Sequence, residues 1–328
     1  MESSHQICQV IPARYVARLQ RRHVLLCNAL PVLGTIVAIA MIPFVRPGSV
    51  EFSLAMVMWA LSLGVGGTVG FHRHFTHRSF EAHASLRCIF AVLGSMAAQG
   101  PVIAWVVTHR RHHEYSDLPG DPHSPQLHGS GLWNTIRGFW HAHARWLWSH
   151  DIPNPEHYAP DLLKDKAIVW INRTYYYWVC LGLVIPTIGG GMILGTWNGA
   201  VGSFLWAGPV RIFVTTQFIW SINSICHLVG TRRYPTTEES RNNFWLAVPS
   251  FGEAWHNNHH AFPTCAAFGH RWWELDLGWH MIRVLQSMRF VWDVRLAKSL
   301  VGKGDSRDWV PKSDAVLLSQ GVNNDGRN

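Results

Sequence analysis

Four long apolar runs, at about 24–45, 50–71, 176–197 and 200–226, set what this chain can fold into. Each is near the ~20 residues a helix needs to cross a bilayer. In hydrocarbon the backbone N–H and C=O groups have no water to bond, so such a run is satisfied only as a helix. Within each pair the connection is short, Arg46-Pro47-Gly48-Ser49 in the first and Thr196-Trp197-Asn198-Gly199 in the second, which forces two antiparallel hairpins. Hydrophobic residues are 48% and charged residues 15%, and the rest of the chain is polar and histidine-rich. The expected fold is therefore an all-α integral membrane protein: four transmembrane helices in two hairpins, with a helical cytosolic cap.

Charge sets the orientation. Arg14, Arg18, Arg21 and Arg22 precede the first run, which places the N-terminus in the cytosol and reads as a signal anchor rather than a removed signal peptide. The formal charge of +8 comes from basic residues scattered beside the apolar runs, so anionic headgroups of the bilayer, and not nucleic acid, are the expected partner. Cys8, Cys27, Cys88, Cys180, Cys226 and Cys265 form no C-x-x-C pair, which fits a reduced, cytosol-facing protein.

The stretch 88–107 decides the topology. As a span it would separate the histidine groups onto opposite sides of the membrane, leaving no common site. Arg87 and the Gln99-Gly100-Pro101 break instead favour an interfacial helix, and every histidine group then faces the cytosol, as do both termini. The expected order begins with a cytosolic segment 1–23, a transmembrane hairpin 24–71 and a first cytosolic cap segment 72–175 that includes the interfacial helix 88–107. A second hairpin 176–226, entered through the aromatic belt Tyr175-Tyr176-Tyr177-Trp178, leads to a second cap segment 227–302 and a polar tail 303–328.

The chain carries 21 histidines, so close pairs arise by chance. Two copies of H-x-x-H-H are harder to dismiss: His109-Arg-Arg-His112-His113 and His256-Asn-Asn-His259-His260. Residues three and four apart share a helix face, so each copy can aim three imidazoles at one point. The alternative for the first copy is a solvated basic face with Arg110 and Arg111. For the second it is weaker, because Phe251, Trp255, Phe262 and Pro263 enclose the group, and buried imidazoles need partners. A third group, His72-Arg-His74-Phe-Thr-His77, is ambiguous: residues five apart lie ~140° apart on an α-helix, and spacing leaves open whether His72 or His74 joins His77. Two triplets and one pair offer eight nitrogens, too many for one ion and enough for two. Asn223 and His227, four apart at the end of the fourth run, read from spacing alone as helix-end polar groups. Glu253 gives the E-x-x-H beside the third group; a carboxylate-bridged ferritin-like centre needs further glutamates, so Glu253 reads as an acceptor that orients a ligand histidine.

These residues resemble the three histidine boxes of the membrane fatty acyl desaturases. His72-Arg-His-Phe-Thr-His77, His109-Arg-Arg-His-His113 and His256-Asn-Asn-His-His260 match in order and spacing. Gly252-Glu253, Ala261-Phe262-Pro263, Asp121-Pro122-His123 and Asn223-Ser-Ile-Cys-His227 extend the likeness over roughly 25–295. Within the family it is similar to bacterial delta-9-type acyl-CoA or acyl-lipid enzymes. The resemblance implies two iron ions held by His72, His77, His109, His112, His113, His227, His256, His259 and His260, with Asn223 near one iron through a water, O2 as co-substrate, and Gln99 and Trp105 lining an acyl tunnel. His74, His141 and His143 need not bind metal. Ala254, Cys226 and Arg145 depart from the usual residues, and Thr264, Ala267 and Phe268 stand where bacterial relatives tend to carry Arg or His.

The implied reaction inserts a cis double bond, at or near the ninth carbon, into a saturated acyl chain delivered as a CoA or lipid ester. Breaking an unactivated C–H bond needs an oxidant that metal chemistry supplies and side chains do not. No G-x-G-x-x-G fingerprint occurs in the sequence, so electrons would come from a separate ferredoxin or cytochrome b5-like donor. The rival enzyme reading is a membrane hydroxylase of the same histidine-rich type. The rival from another class is a metal transporter or receptor, which would place ionisable residues inside the spans; the first two runs hold almost none.

Overall fold

The structure is a computed structural model; it describes residues 8–149 and 151–297. The tail 303–328 and the first seven residues lie outside the described residues. The fold is mostly helical. Three helices are long and apolar enough to cross a membrane: Arg18–Ala40, Ser49–Thr76 and Tyr175–Leu194.

Helix α1 (13–40) starts eleven residues before the expected span and passes through one π turn at Leu25–Ala29. After a turn through Pro47, helix α2 (Ser49–Thr76) begins where the Gly48 N–H donates to the Glu51 carboxylate (2.9 Å). From Ala60 to Thr76 it is a π-helix, with hydrogen bonds five residues apart, and it carries the chain past the expected end at Phe71 into the first histidine group.

The expected interfacial helix 88–107 is two helices, α3 (Ala84–Ser95) and α4 (Val102–Tyr115). The break has a backbone cause: Ala98 and Gly100 take positive φ (60° and 109°), and Pro101, which has no N–H to donate, starts the next helix. Twelve residues of α3 reach only ~18 Å, well short of the ~30 Å hydrocarbon core. Much of the stretch is interior, with Phe90, Val102, Ile103, Val106 and Val107 buried.

Helix α5 (Leu132–Trp140) follows in the region before α6 (Lys166–Arg173) and α7 (Tyr175–Leu194). Gly195 in the left-handed region (φ 62°) ends α7, and Thr196 Oγ1 accepts from the Gly199 N–H (3.0 Å) to start the return helix α8 (197–224). This fourth run is continuous through a π turn at Pro209 but is not among the three apolar candidates. The reason is its composition: small and polar residues, Gly199, Gly202, Ser203, Thr215 and Thr216, lower its hydropathy, and the fold buries them. Its buried Arg211 donates to the Met96 and Ala207 carbonyls and to Ser62 Oγ.

Two pairs of two-residue strands join segments distant in sequence. Val10–Ile11 pairs antiparallel with Ile152–Pro153, and Glu81–Ala82 with Val291–Trp292. The main core lies where α2, α3, α4 and α10 (Leu277–Ser287) meet, around Phe71, Phe75, Phe80, Phe90, Val106 and Ile282.

The α2–α3 crossing sets how closely those helices approach. A Cβ at Gly66 would lie 2.1 Å from the Gly94 nitrogen and 2.3 Å from the Leu93 carbonyl carbon, and backbone cannot step aside. Gly66→Ala is expected to destabilise the protein by ~2 kcal/mol or more through overpacking. Thermal unfolding in detergent reads this as a lowered midpoint against Gly67→Ala, whose Cβ would meet nothing closer than 3.4 Å.

Candidate metal centre

Four segments of the chain converge on one region. The end of α2 supplies His72 and His77, α4 supplies His109, His112 and His113, a 3-10 turn after α8 supplies His227, and the six-residue helix α9 (His256–Ala261) supplies the last three. The π geometry removes the ambiguity left by spacing. In an i→i+5 helix the residue five on is one turn away, and the His77 N–H does donate to the His72 carbonyl (3.2 Å). His72 and His77 thus share a face. His74 points elsewhere, its Nδ1 on the Phe80 carbonyl (3.1 Å).

The nine histidines fall into two groups: His72, His77, His109, His113 and His259, and His112, His227, His256 and His260, with ligand atoms in each lying within 4.8 Å of one another. They adjoin, since the His113 ring stacks on His260 at 4.5 Å between centroids. Within the first group Nε2 of His259 is 2.9 Å from that of His113 and 3.1 Å from that of His72, and His113 and His109 are 3.0 Å apart. Within the second, His256 Nε2 lies 3.1 Å from both His227 and His260. Two imidazole nitrogens bound ~2.1 Å from one ion at a right angle would be about 3.0 Å apart, so these separations are those of a coordination shell. Nε2 of His77 and of His112 is buried with no hydrogen-bond partner among the described residues. The donor set therefore fits two metal ions.

Carboxylates fix the tautomers. His72 Nδ1 donates to Glu253, His112 Nδ1 to Asp121 (3.0 Å) and His227 Nδ1 to Asp117 (3.0 Å), while the Glu238 carboxylate lies 3.6 Å from His260 Nδ1. A carboxylate only accepts, so it holds the proton on Nδ1 and leaves the Nε2 lone pair free to bind. Burial, with neighbouring imidazoles adding to it, pushes His77, His109, His113, His256, His259 and His260 well below the usual histidine range. They are neutral, as ligands must be. Burial would lower His227 too, but the charge and hydrogen bond of Asp117 outweigh it and raise it. Asp117 in turn stays ionised, its burial overcome by His227 and by hydrogen bonds.

The intervening residues of each box do structural work. Arg110 donates to the Phe75, Thr76 and Tyr158 carbonyls and to Asp161, so it covers the C-terminal carbonyls of α2 instead of forming a solvated face. Arg111 donates to the Gly120 carbonyl. Asn257 accepts from the Arg233 and Tyr234 N–H groups, and Asn258 donates to the Phe268 carbonyl and Glu274. The buried Arg73 guanidinium pairs with Asp276, donates to the Ala266 carbonyl and lies 3.9 Å over the Phe268 ring. Phe268 packs against His72 and His259.

Gln99, Trp105 and Asn223 line both cavities that reach the centre, with His109 among their neighbours. Trp105 stacks on His109 at 5.1 Å, and Gln99 donates to Thr216 Oγ1. His141 and His143 stay apart; His143 bridges Ser224 and Gln217. Cys226 and Ala254 are buried in the packing beside Trp255. Spacing assigns no role to Asp117 or Glu238, and none beyond likeness to Asp121. The position of Asp121, nine residues after His112, was the available signal, whereas Glu238 carries none.

Comparison with known proteins agrees with this geometry. A family model described as fatty acid desaturase matches residues 52–290. The chain is 52% identical over 293 residues to hex-5-enoyl-[acyl-carrier protein] acetylenase of Moorena producens (strain JHB), covering 89% of this chain and 91% of the relative. It is 35% identical to the sn-1 stearoyl-lipid 9-desaturase of Synechocystis sp. (74% and 71% covered) and 34% identical to delta-9 acyl-lipid desaturase 1 of Arabidopsis thaliana (74% of each).

Removing one outer carboxylate tests the geometry without reference to turnover. Asp117→Asn is expected to weaken metal binding at the four-histidine cluster by about 10–100-fold while the five-histidine cluster still loads. Metal titration of the purified protein, followed by elemental analysis, should show one ion retained and one lost.

Proposed function

The chain belongs to the fatty acid desaturase family, and from that premise we propose that it introduces a cis double bond into a fatty acyl chain at a centre of two iron ions. His72, His77, His109, His113 and His259 hold one ion, and His112, His227, His256 and His260 the other, with Asn223 beside the centre through a water. Membership makes the protein an enzyme, an oxidoreductase of lipid metabolism, and sets aside the transporter alternative. The observation that carries the reading is the pair of adjoining all-imidazole clusters, whose Nε2 separations are those of a metal shell.

Bound iron supplies the activation of O2 that breaking an unactivated C–H bond requires. The balance is one acyl –CH2–CH2–, one O2, two electrons and two protons giving –CH=CH– and two waters. The chain's own part is preorganisation. Glu253, Asp121 and Asp117 hold His72, His112 and His227 in the tautomer that presents Nε2. Arg110 and Arg73 lock the first box against the second and the third. Burial of the cluster keeps bulk water from the reacting carbon, and Trp105, Gln99 and Asn223 line its approach. Four spans, with α8 returning antiparallel to α7, would place all the histidines on the cytosolic side, within reach of an external ferredoxin or cytochrome b5-like donor.

A second reading has a specific observation in its favour: the Moorena relative, at 52% identity, is named an acetylenase. The same centre would then take an acyl alkene to an alkyne, with the same consumption of one O2, two electrons and two protons.

Expression in a desaturase-deficient, iron-replete host, with double bonds located by mass spectrometry, decides among these. A new unsaturated acid that disappears in His259→Ala and persists in His74→Ala is the expected result. An alkyne from a fed alkenoic acid establishes the second reading. A hydroxy acid as the only product transfers the chain to the hydroxylases and overturns both.

A further inference from the structure

Two cavities meet at the metal centre, sharing Gln99, Trp105, His109, Ile219 and Asn223, and they are very unequal. The inner one, about 50 Å³, runs in among the membrane helices between Leu63, Gly67, Phe71, Gly94 and Ala97. The outer one, about 320 Å³, lies against the start of α1 and the cap, where Gln20, His23, Asn28, Leu147 and Tyr176 line it. A cavity of about 150 Å³ takes one benzene, so by that measure the inner pocket has room for about two carbon atoms and the outer for about a dozen atoms. An octadecanoyl chain reacting at its middle must place eight carbons beyond the new double bond, which needs roughly 200 Å³. Part of the inner pocket's wall is backbone, which no rotamer change moves. A Cβ on Gly94 would already meet the Phe71 ring at 2.3 Å, and the Gly66–Gly94 backbone contact fixes the wall behind it.

The outer cavity is not lined as a hydrocarbon tunnel would be. Nδ1 of His23 and Nδ2 of Asn28 are buried with no hydrogen-bond partner among the described residues. Methylenes alone would leave both unsatisfied, whereas an ester or thioester carbonyl accepts from the Asn28 amide. The polar head of the substrate therefore has a seat within the same cavity as the acyl chain.

We propose that this enzyme takes a medium-chain acyl ester or thioester, seats its carbonyl at Asn28 and His23, and reacts at a bond with no more than about two or three carbons between it and the methyl end. The proposal rests on the desaturase reading and deepens it. The inner pocket limits how many carbons lie beyond the bond, and the carbonyl seat in the outer cavity limits how many lie before it.

The full-length protein is tested in two arms. In the desaturase-deficient host, fed decanoic, dodecanoic and octadecanoic acids, unsaturated products are expected from the two shorter acids, with the bond near the methyl end. Leu63→Ala, or Leu63→Val if the alanine variant is poorly folded, should enlarge the inner pocket and shift products toward chains longer by one to three carbons. In the second arm, displacement of a fluorescent fatty acid from purified protein compares dodecanoyl and octadecanoyl methyl esters. Hydrophobicity alone favours the longer ester, so binding of the shorter one about tenfold more tightly is diagnostic of the pocket. Asn28→Leu should weaken the dodecanoyl ester about tenfold while leaving dodecane unaffected; a merely structural role would weaken both. Conversion of octadecanoate at its middle, as readily as dodecanoate, overturns the proposal and leaves the desaturase reading standing. No unsaturated product from any chain overturns the desaturase reading, and the order of ester affinities then still decides the pocket.

Discussion

Imidazole nitrogens 2.9–3.1 Å apart, buried and turned toward one another, are the arrangement on which the rest of the molecule depends. Neutral lone pairs at that distance repel, and protonating them all would bury many positive charges together, as their lowered proton affinities show. The fold must therefore hold the rings against their own repulsion until a cation relieves it. It does so from outside the clusters. Asp117, Asp121 and Glu253 each accept a hydrogen bond from one Nδ1–H, and Asn257 and Asn258 bind the backbone and side chains around the short helix α9. A six-residue helix has little stability of its own. Asn242 therefore matters as much as any ligand: its side-chain oxygen accepts from the Asn257 and Asn258 N–H groups at the start of that helix.

The second constraint is the change of helix type in α2. An α-helix would send His72 and His77 to different faces. Five-residue hydrogen bonding brings them into line, and the four glycines between Gly64 and Gly70 give that stretch little side-chain bulk to oppose it. The same glycines let α3 approach α2 backbone to backbone, so the feature that aligns the ligands also narrows the inner pocket. Ligand geometry and pocket size thus come from one local departure from α geometry.

What could be read from the amino acids follows the range of the interactions involved. The two H-x-x-H-H groups declare themselves because α4 and α9 are regular helices, where three- and four-residue spacing means a shared face. His72 was ambiguous because that rule assumes an α-helix where the chain forms a π-helix. The stretch 88–107 carried its break in plain view at Gln99-Gly100-Pro101, yet its burial depended on partners in α2 and α10 that no local pattern reveals. Glu238 and Asp276 were invisible for the same reason: each acts across a long loop, one beside His260 and the other on Arg73. The fourth apolar run forms a continuous helix, α8, yet is not among the three apolar enough to span. Its hydropathy is diluted by groups such as Arg211 and Thr215, which the bundle itself satisfies or buries.

Arg73 links these levels. It is wholly buried, sits between two histidines of the first box, and spends its donors on Asp276 and the Ala266 carbonyl rather than on solvent. The guanidinium also lies 3.7 Å from the second oxygen of Glu253, whose first oxygen holds His72. A cation there holds Glu253 in place, and Glu253 accepts from His72 Nδ1, which leaves Nε2 facing the other histidines. The charge that a metal cluster of neutral imidazoles lacks is thus supplied at second remove, by carboxylates that are themselves anchored from the far side. The carboxylates bond Nδ1 atoms on the outer side of the clusters, so the atoms that face one another within each cluster are imidazole nitrogens.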